Sequence, residues 1–182
     1  MHTTYLCLLR GINVGGNNII KMTDLKKAFE DCGFAEVRTY IQSGNVVFTT
    51  PETDPQALEE KIEKHLSERF HYSSRVVVLS DAMLAQVAQE APKGFGQSPD
   101  LYRSDVIFIK SPKTPGDILP TLELKEGVDT ASGGSYALYF SRLISGATKS
   151  KLNRIILKPE YQYMTIRNWN TTSKLVGMVC GI

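Results

Sequence analysis

Three segments of the chain hold the residues with chemistry to offer. The first is Arg10-Gly11-Ile12-Asn13-Val14-Gly15-Gly16-Asn17-Asn18, in which Gly11 and Gly16 have the spacing of a phosphate-binding loop. Such a loop must continue with Lys and Ser or Thr, which grip the phosphates and a magnesium ion. Asn17-Asn18 stands there instead, and this excludes ATPase chemistry. What remains is a glycine-rich turn with backbone N–H groups to offer, beside Arg10 and ahead of a helix, which together make an anion nest. The same composition also suits a plain loop, where glycine turns the chain and asparagine satisfies its own backbone. The second segment is Arg38-Thr39-Tyr40-Ile41-Gln42-Ser43-Gly44-Asn45. The third is split into Ser141-Arg142, Lys149-Ser150-Lys151 and Arg167-Asn168-Trp169-Asn170-Thr171. Trp169, the sole tryptophan, suits either a core anchor or a platform for a stacked base. Asn170 or Thr171 can cap a last helix, whose first N–H groups favour an anion.

The residues that usually carry catalysis do not form a constellation. His2 stands at the terminus, and His65 and His71 lie in or just after a helix with an apolar opposite face, so they read as surface residues. No Ser-His-Asp order, H-E-x-x-H or paired-cysteine spacing occurs. No two carboxylates fall in the polar segments. No metal and no cofactor are expected, and no reaction is assignable. Any catalysis would rest on Arg, Lys, Ser and backbone donors stabilising negative charge.

Composition narrows the classes further. The 182 residues, 42% apolar and 22% charged, suit one large or two small globular domains. Lys and Arg number 21 against 19 Asp and Glu, a net of +2, which gives no bulk attraction to nucleic acid or an acidic membrane. Cys7, Cys32 and Cys180 are far apart in sequence, which suits a reducing cytoplasm rather than a disulfide framework. The opening apolar run stops at Arg10, short of a secretion signal, and no stretch nears the ~20 apolar residues that cross a bilayer. Cys180 is third from the end, so no prenylation box is expected.

The elements that must position the polar segments follow from periodicity. Tyr5–Leu9 is apolar throughout, a strand buried on both faces. Thr23 can cap a helix striped by Leu25, Ala28, Phe29 and Cys32, which Gly33 ends. Val37, Thr39 and Ile41 alternate with Arg38, Tyr40 and Gln42, a strand with one wet face. Ser43-Gly44-Asn45 turns into the strand Val46–Phe48. Asp54 or Thr53, followed by Pro55, opens a helix striped by Leu58, Ile62, Leu66 and Phe70, and Arg75–Leu79 is the next strand. Ser80-Asp81 caps a helix to about Glu90. After a long connection over 91–102 come a strand at Asp105–Lys110, a short helix after Pro115, and strands near 127–132 and 135–141. A helix near Lys149–Leu157, a strand at Gln162–Ile166 and a last helix from about Thr171 complete the series.

Both halves read β-α-β-β-α-β. The fold class is α+β, an α/β plait: two tandem ferredoxin-like βαββαβ domains plus a C-terminal helix, over 1–79 and 80–182. In a split unit of this kind the end of the first strand and the turn after the second share one edge. Arg10 and the glycine loop should therefore meet Gln42, Ser43 and Asn45, with Arg38, Tyr40 and Gln42 lining an open sheet face. By the same topology Lys149–Lys151 and Arg167–Thr171 should be neighbours.

The strings Leu8-Leu9-Arg10-Gly11-Ile12-Asn13-Val14-Gly15-Gly16, Arg38 to Asn45, Ser150-Lys151-Leu152 and Thr165-Ile166-Arg167-Asn168-Trp169-Asn170-Thr171 together resemble the bacterial domain of unknown function 1697 family, in order over nearly the whole chain. The resemblance implies two ferredoxin-like domains and no activity. It marks Arg10, Gly11, Asn13, Gly15, Gly16, Arg38, Tyr40, Ser43, Gly44, Asn45, Ser150, Lys151, Arg167, Asn168, Trp169 and Thr171 as candidate positions. The leading expectation is a cytoplasmic protein that binds a small anionic ligand, a phosphate ester or nucleotide, in a cleft between the two domains. A protein-interaction module using open sheet faces is the alternative. An RNA-binding plait ranks third, because Gly134-Ser135-Tyr136-Ala137-Leu138-Tyr139-Phe140 does not fit the strand signature of RNA recognition motifs.

Overall fold

The computed structural model describes residues 2–181. Met1 and Ile182, the outermost residues of the terminal segments considered above, lie outside the described residues. The chain is mixed α+β and divides into two compact units, 1–85 with 175–182, and 86–174. Each holds a four-stranded antiparallel sheet with helices. Among the described residues no helix is long and apolar enough to cross a membrane.

The first unit runs β1 (Thr3–Leu9), α1 (Met22–Asp31), β2 (Ala35–Tyr40), β3 (Asn45–Thr50), α2 (Pro55–Phe70) and β4 (Val76–Ser80), with sheet order β2-β3-β1-β4. Tyr5, Cys7, Leu9, Val46, Phe48, Val76 and Val78 meet Leu25 and Phe29 of α1 and Leu58, Ile62 and Leu66 of α2 in one core. The period-two and period-3.6 patterns put these residues on facing surfaces. Asp54 caps α2 by accepting from the Gln56 N–H at 2.9 Å, with Pro55 in the first turn. Thr23 is not the cap of α1, which starts one residue earlier behind Lys21, a residue with no side-chain capping bond. The expected wet face holds on the edge strand β2, where Val37 is buried and Arg38 exposed, but it does not extend across the sheet. Leu6, Leu8, Val47, Val77 and Leu79, on the other side of the sheet, are as buried as the core.

The second unit takes up α3 (Asp81–Gln89) part-way and continues with β5 (Tyr102–Ile109), α4 (Pro115–Ile118), β6 (Asp129–Gly133), β7 (Ala137–Leu143), β8 (Met164–Asn168) and the first half of α5 (Trp169–Cys180). Its sheet order is β6-β7-β5-β8. Ile107, Ile109, Leu138, Phe140 and Met164 pack on Ile118, Leu152 and Ile155. Thr114 and Asp117 form a capping box that makes the four-residue α4 viable. The helix expected near Lys149–Leu157 is instead a set of 3-10 turns, Ile144–Lys149, Leu152–Leu157 and Pro159–Tyr163. Ser150 is extended (φ −56°, ψ 141°). The Lys151 and Leu152 N–H groups go to the Asp129 carboxylate and the Ser150 hydroxyl, so no continuous α ladder can form.

Glu90 ties the end of α3 to the β6–β7 turn. Its carboxylate accepts from the Ser135 N–H and hydroxyl, each at 2.6 Å, and from Gln86 Nε2 at 2.9 Å. The Ser135 hydroxyl foremost, then its N–H, hold the Glu90 carboxyl below the usual range. A lowered folded pKa stabilises above the unfolded value of ~4.3 and loses that contribution as pH falls below it. Glu90→Gln is expected to cost about 1 kcal/mol at pH 7, a figure reduced for solvent exposure, and less below about pH 4. Thermal denaturation of both proteins across pH checks this. A pH-independent difference would show that the charge is not what holds the turn.

Candidate functional site

In the first unit the glycine segment and the β2–β3 turn do meet. The Leu9 N–H donates to Gly44 O at 2.8 Å, and Asn13 Nδ2 donates to Gln42 O at 2.8 Å and to Ile20 O at 3.0 Å. The loop is itself a small hairpin. Val14 and Asn17 pair across Gly15 (φ +58°) and Gly16 (φ +79°), and the Asn13 N–H reaches Asn18 O at 3.2 Å. Asn18 Nδ2 donates to Gly11 O at 2.9 Å. Thus the amides of Asn13 and Asn18, and the N–H groups of Asn13 and Asn17, hold the loop in shape. The loop also ends three residues short of α1, so it does not sit on that helix's N-terminus. Asn45 is fully buried, and its Nδ2 donates to Tyr40 O at 2.9 Å and Ser43 Oγ at 3.0 Å.

Arg10 is half-buried where β1 leaves the sheet, and its N–H donates to Arg75 O at 3.0 Å. Arg38 is exposed on the edge strand β2, and its Nη2 donates to Met178 O at 3.3 Å, in the last turn of α5. A cation at that position complements the negative end of the helix. β2 stops at Tyr40. Ile41 takes φ +48° in the turn and is 48% exposed rather than facing the helices.

In the second unit the split segment comes apart. Lys151 is tied to β6, its N–H donating to Asp129 Oδ2 at 2.8 Å. Arg167 lies in β8, at the opposite edge of the β6-β7-β5-β8 sheet. With strands ~4.8 Å apart, three intervals separate the two by roughly 14 Å, so the expected neighbourhood of Lys149–Lys151 and Arg167–Thr171 is not formed. Arg167 donates from Nη1 to Ile166 O at 2.9 Å. Asn168, rather than Asn170 or Thr171, caps α5, its Oδ1 accepting from the buried Thr171 N–H at 2.8 Å. Trp169 is half-buried and packs edge-on against Phe95, centroids 5.2 Å apart at 82°.

What Lys149-Ser150-Lys151 does join is a second set of cations. Lys125, Thr148, Lys149, Ser150, Lys151 and Arg154 line one concavity of about 370 Å³. No carboxylate is in that lining, and Lys125, Lys149 and Lys151 form no ion pair among the described residues. Arg154 alone has a distant partner, Glu123 at 4.0 Å. The buried Asp129 underlies the site. Its Oδ2 accepts the main-chain N–H groups of both Lys125 and Lys151, at 2.9 and 2.8 Å, and so fixes two loops that carry the cations. Like charges gathered in one concavity repel each other, and a bound anion relieves that. Lys125 precedes β6 and Arg154 lies within the 3-10 turn Leu152–Leu157, so no local pattern joins the two, and only the fold brings Lys125 to Lys149–Lys151. Among the described residues no group of three or more His, Cys, Asp or Glu could hold a metal ion.

A family model described as a protein of unknown function, DUF1697, matches residues 2–139. Among solved structures the chain is similar to the conserved bacterial protein SP0830 from Streptococcus pneumoniae. The two are 26% identical with a TM-score of 0.86, over 98% of this chain and 99% of that chain. No curated protein matches the chain.

Proposed function

We propose that this chain, which belongs to the DUF1697 family, binds a small, multiply charged anion of the phosphate-ester class in the second unit, in the concavity of Lys125, Lys149, Lys151 and Arg154. The observation that carries this is the gathering of four cationic side chains and two hydroxyl residues around one space of about 370 Å³ with no carboxylate in its lining. Ammonium and guanidinium groups meet phosphate oxygens in charge-assisted hydrogen bonds, and Thr148 and Ser150 add hydroxyls. No general base stands in the lining, so the reading is one of binding, with no reaction attached. Each unit is taken as a ferredoxin-like plait in a cytoplasmic, bacterial protein. The strand orders β2-β3-β1-β4 and β6-β7-β5-β8 support the plait part of that reading. Sheet-face docking, of protein or RNA, has less support, because the apolar residues on both sides of each sheet are buried.

Phosphate and pyrophosphate at low millimolar concentration are expected to raise the melting temperature more than chloride at equal ionic strength, a range in which salt exclusion effects are small. Losing one charge-assisted contact costs ~1.5–3 kcal/mol, so Lys151→Gln should weaken pyrophosphate binding at least tenfold by calorimetry. Its folding should be unchanged, because the Asp129 contact is made by the Lys151 main chain. Equal shifts from phosphate and chloride, or unaltered pyrophosphate binding by Lys151→Gln, would remove the proposal.

A further inference from the structure

A second cavity, of about 420 Å³, lies in the same unit between the 92–98 segment and the sheet, and its chemistry is of another kind. The period-two rule puts Ser104 of β5, Thr130 of β6 and Ser141 of β7 on one face. Register does more: Thr130 stands opposite Ser141, and Ser141 opposite Ser104. Three hydroxyls therefore form a row across three strands, at the strand spacing of ~4.8 Å, and one neighbouring pair approaches to 3.4 Å, Ser104 Oγ to the central Ser141 Oγ. All three residues line the cavity.

The opposite wall is aromatic and braced. Phe95 is held edge-on by Tyr139, centroids 5.5 Å apart at 81°, and by Trp169 at 5.2 Å. Gly94 (φ +82°) and Gly96 (φ +74°) flank it in left-handed backbone conformations that favour glycine. The Tyr139 hydroxyl is spent on Val87 O at 2.6 Å, so Tyr139 contributes its ring surface. Lys93 is the one charged residue in the lining, and no carboxylate is present there.

We infer that this cavity binds a neutral, polyhydroxylated ring: a sugar, free or as the ribose of a nucleoside. A row of hydroxyls that both donate and accept matches a ligand edge of the same kind. The C–H face of a sugar ring is apolar enough to lie on Phe95. A fully ionised ligand would leave its hydration without a countercharge beyond Lys93, which is costly in a partly closed space. The volume falls in the range of small-ligand sites, with a few polar groups converging on an apolar wall. This inference stands apart from the cationic concavity, which shares no lining residue with it.

The sole tryptophan reports on the site, since Trp169 braces Phe95. Titration of the whole chain with a panel of hexoses and pentoses, and separately with adenosine and uridine, is expected to give a saturable change in Trp169 emission below about 20 mM for at least one probe. A response to free sugars assigns a saccharide; a response to nucleosides alone assigns the ribose source. Ser141→Ala, which removes the middle hydroxyl, should weaken that probe about tenfold, and the near-isosteric Thr130→Val should weaken it as well, with the melting temperature as the folding control. Pyrophosphate binding at the other concavity should be unchanged in both variants, which keeps the two proposals separately testable. No saturable response from any probe, or a response that folded Ser141→Ala and Thr130→Val both leave intact, would overturn the inference.

Discussion

Gly96→Ala is expected to lower the melting temperature by roughly 10 °C and to shift Trp169 emission, while Gly94→Ala costs about a third as much and leaves the emission unchanged. Both glycines have left-handed backbones, φ +74° and +82°. A Cβ in that region costs ~1–2 kcal/mol by itself. At Gly94 nothing lies within 4 Å of such a Cβ, so only this strain is felt. At Gly96 the Cβ would sit 2.0 Å from Trp169 Cδ1 and 2.7 Å from its Cγ. Those atoms are at the root of the indole, not at a flexible tip, so the whole ring must leave Phe95. Overpacking of this kind costs ~1–3 kcal/mol, and the total of about 3 kcal/mol converts to the stated shift for a chain of this size. Equal losses at the two glycines, with Trp169 emission unmoved, would show that the indole is not seated on Gly96.

Trp169 shows where sequence reasoning stops. As the sole tryptophan it invited two roles, core anchor or stacking platform. The structure gives it a third, a brace for Phe95, a residue more than seventy positions earlier inside a connection with no periodicity. Local pattern reaches only residues that share an element, and contacts of that span are set by the tertiary fold. The helices and strands were legible for the same reason. Leu58, Ile62 and Leu66 face one core because they share one helix. The open sheet face is confined to β2, where Arg38 is exposed, and the sequence of β1 shows why it stops there. Tyr5 to Leu9 is apolar at every position, and a strand with no polar side has no wet face to show.

The candidate site divides along the same line. Lys149, Ser150 and Lys151 were legible as a cationic cluster. Their supposed partners around Arg167 were not, because a shared sheet edge says nothing about which strand a loop leans on. Asp129 decided that, by taking the Lys151 N–H at the β6 side. The hydroxyl row had a signal that went unused: Thr130 and Ser132, and Tyr139 and Ser141, alternate at period two, which puts polar residues on a face that the buried Val106 and Phe108 continue.

The turn Ser43-Gly44-Asn45 provides the other large effect. Gly44→Ala is expected to cost about 3 kcal/mol, and Gly16→Ala about 1 kcal/mol, in chemical denaturation of otherwise identical chains. The backbones match, φ +80° at Gly44 and +79° at Gly16, so their strain is the same. The surroundings differ. Nothing lies within 4 Å of a Cβ at Gly16. At Gly44 it would meet Leu9 Cβ and Ile12 Cδ1, each at 2.8 Å. Ile12 can turn its terminal methyl aside, but Leu9 Cβ is fixed by a main chain paired to β4 on one side and bonded to Gly44 O on the other. The added methyl must therefore push the turn off the end of β1. That displaces Asn45, whose buried amide loses Tyr40 O and Ser43 Oγ together. If Gly44 and Gly16 tolerate alanine equally, the turn does not pack on Leu9, and a ligand-facing role for Ser43 and Asn45 regains its ground. If Gly44→Ala alone is costly, packing of the turn on Leu9 accounts for glycine at this position.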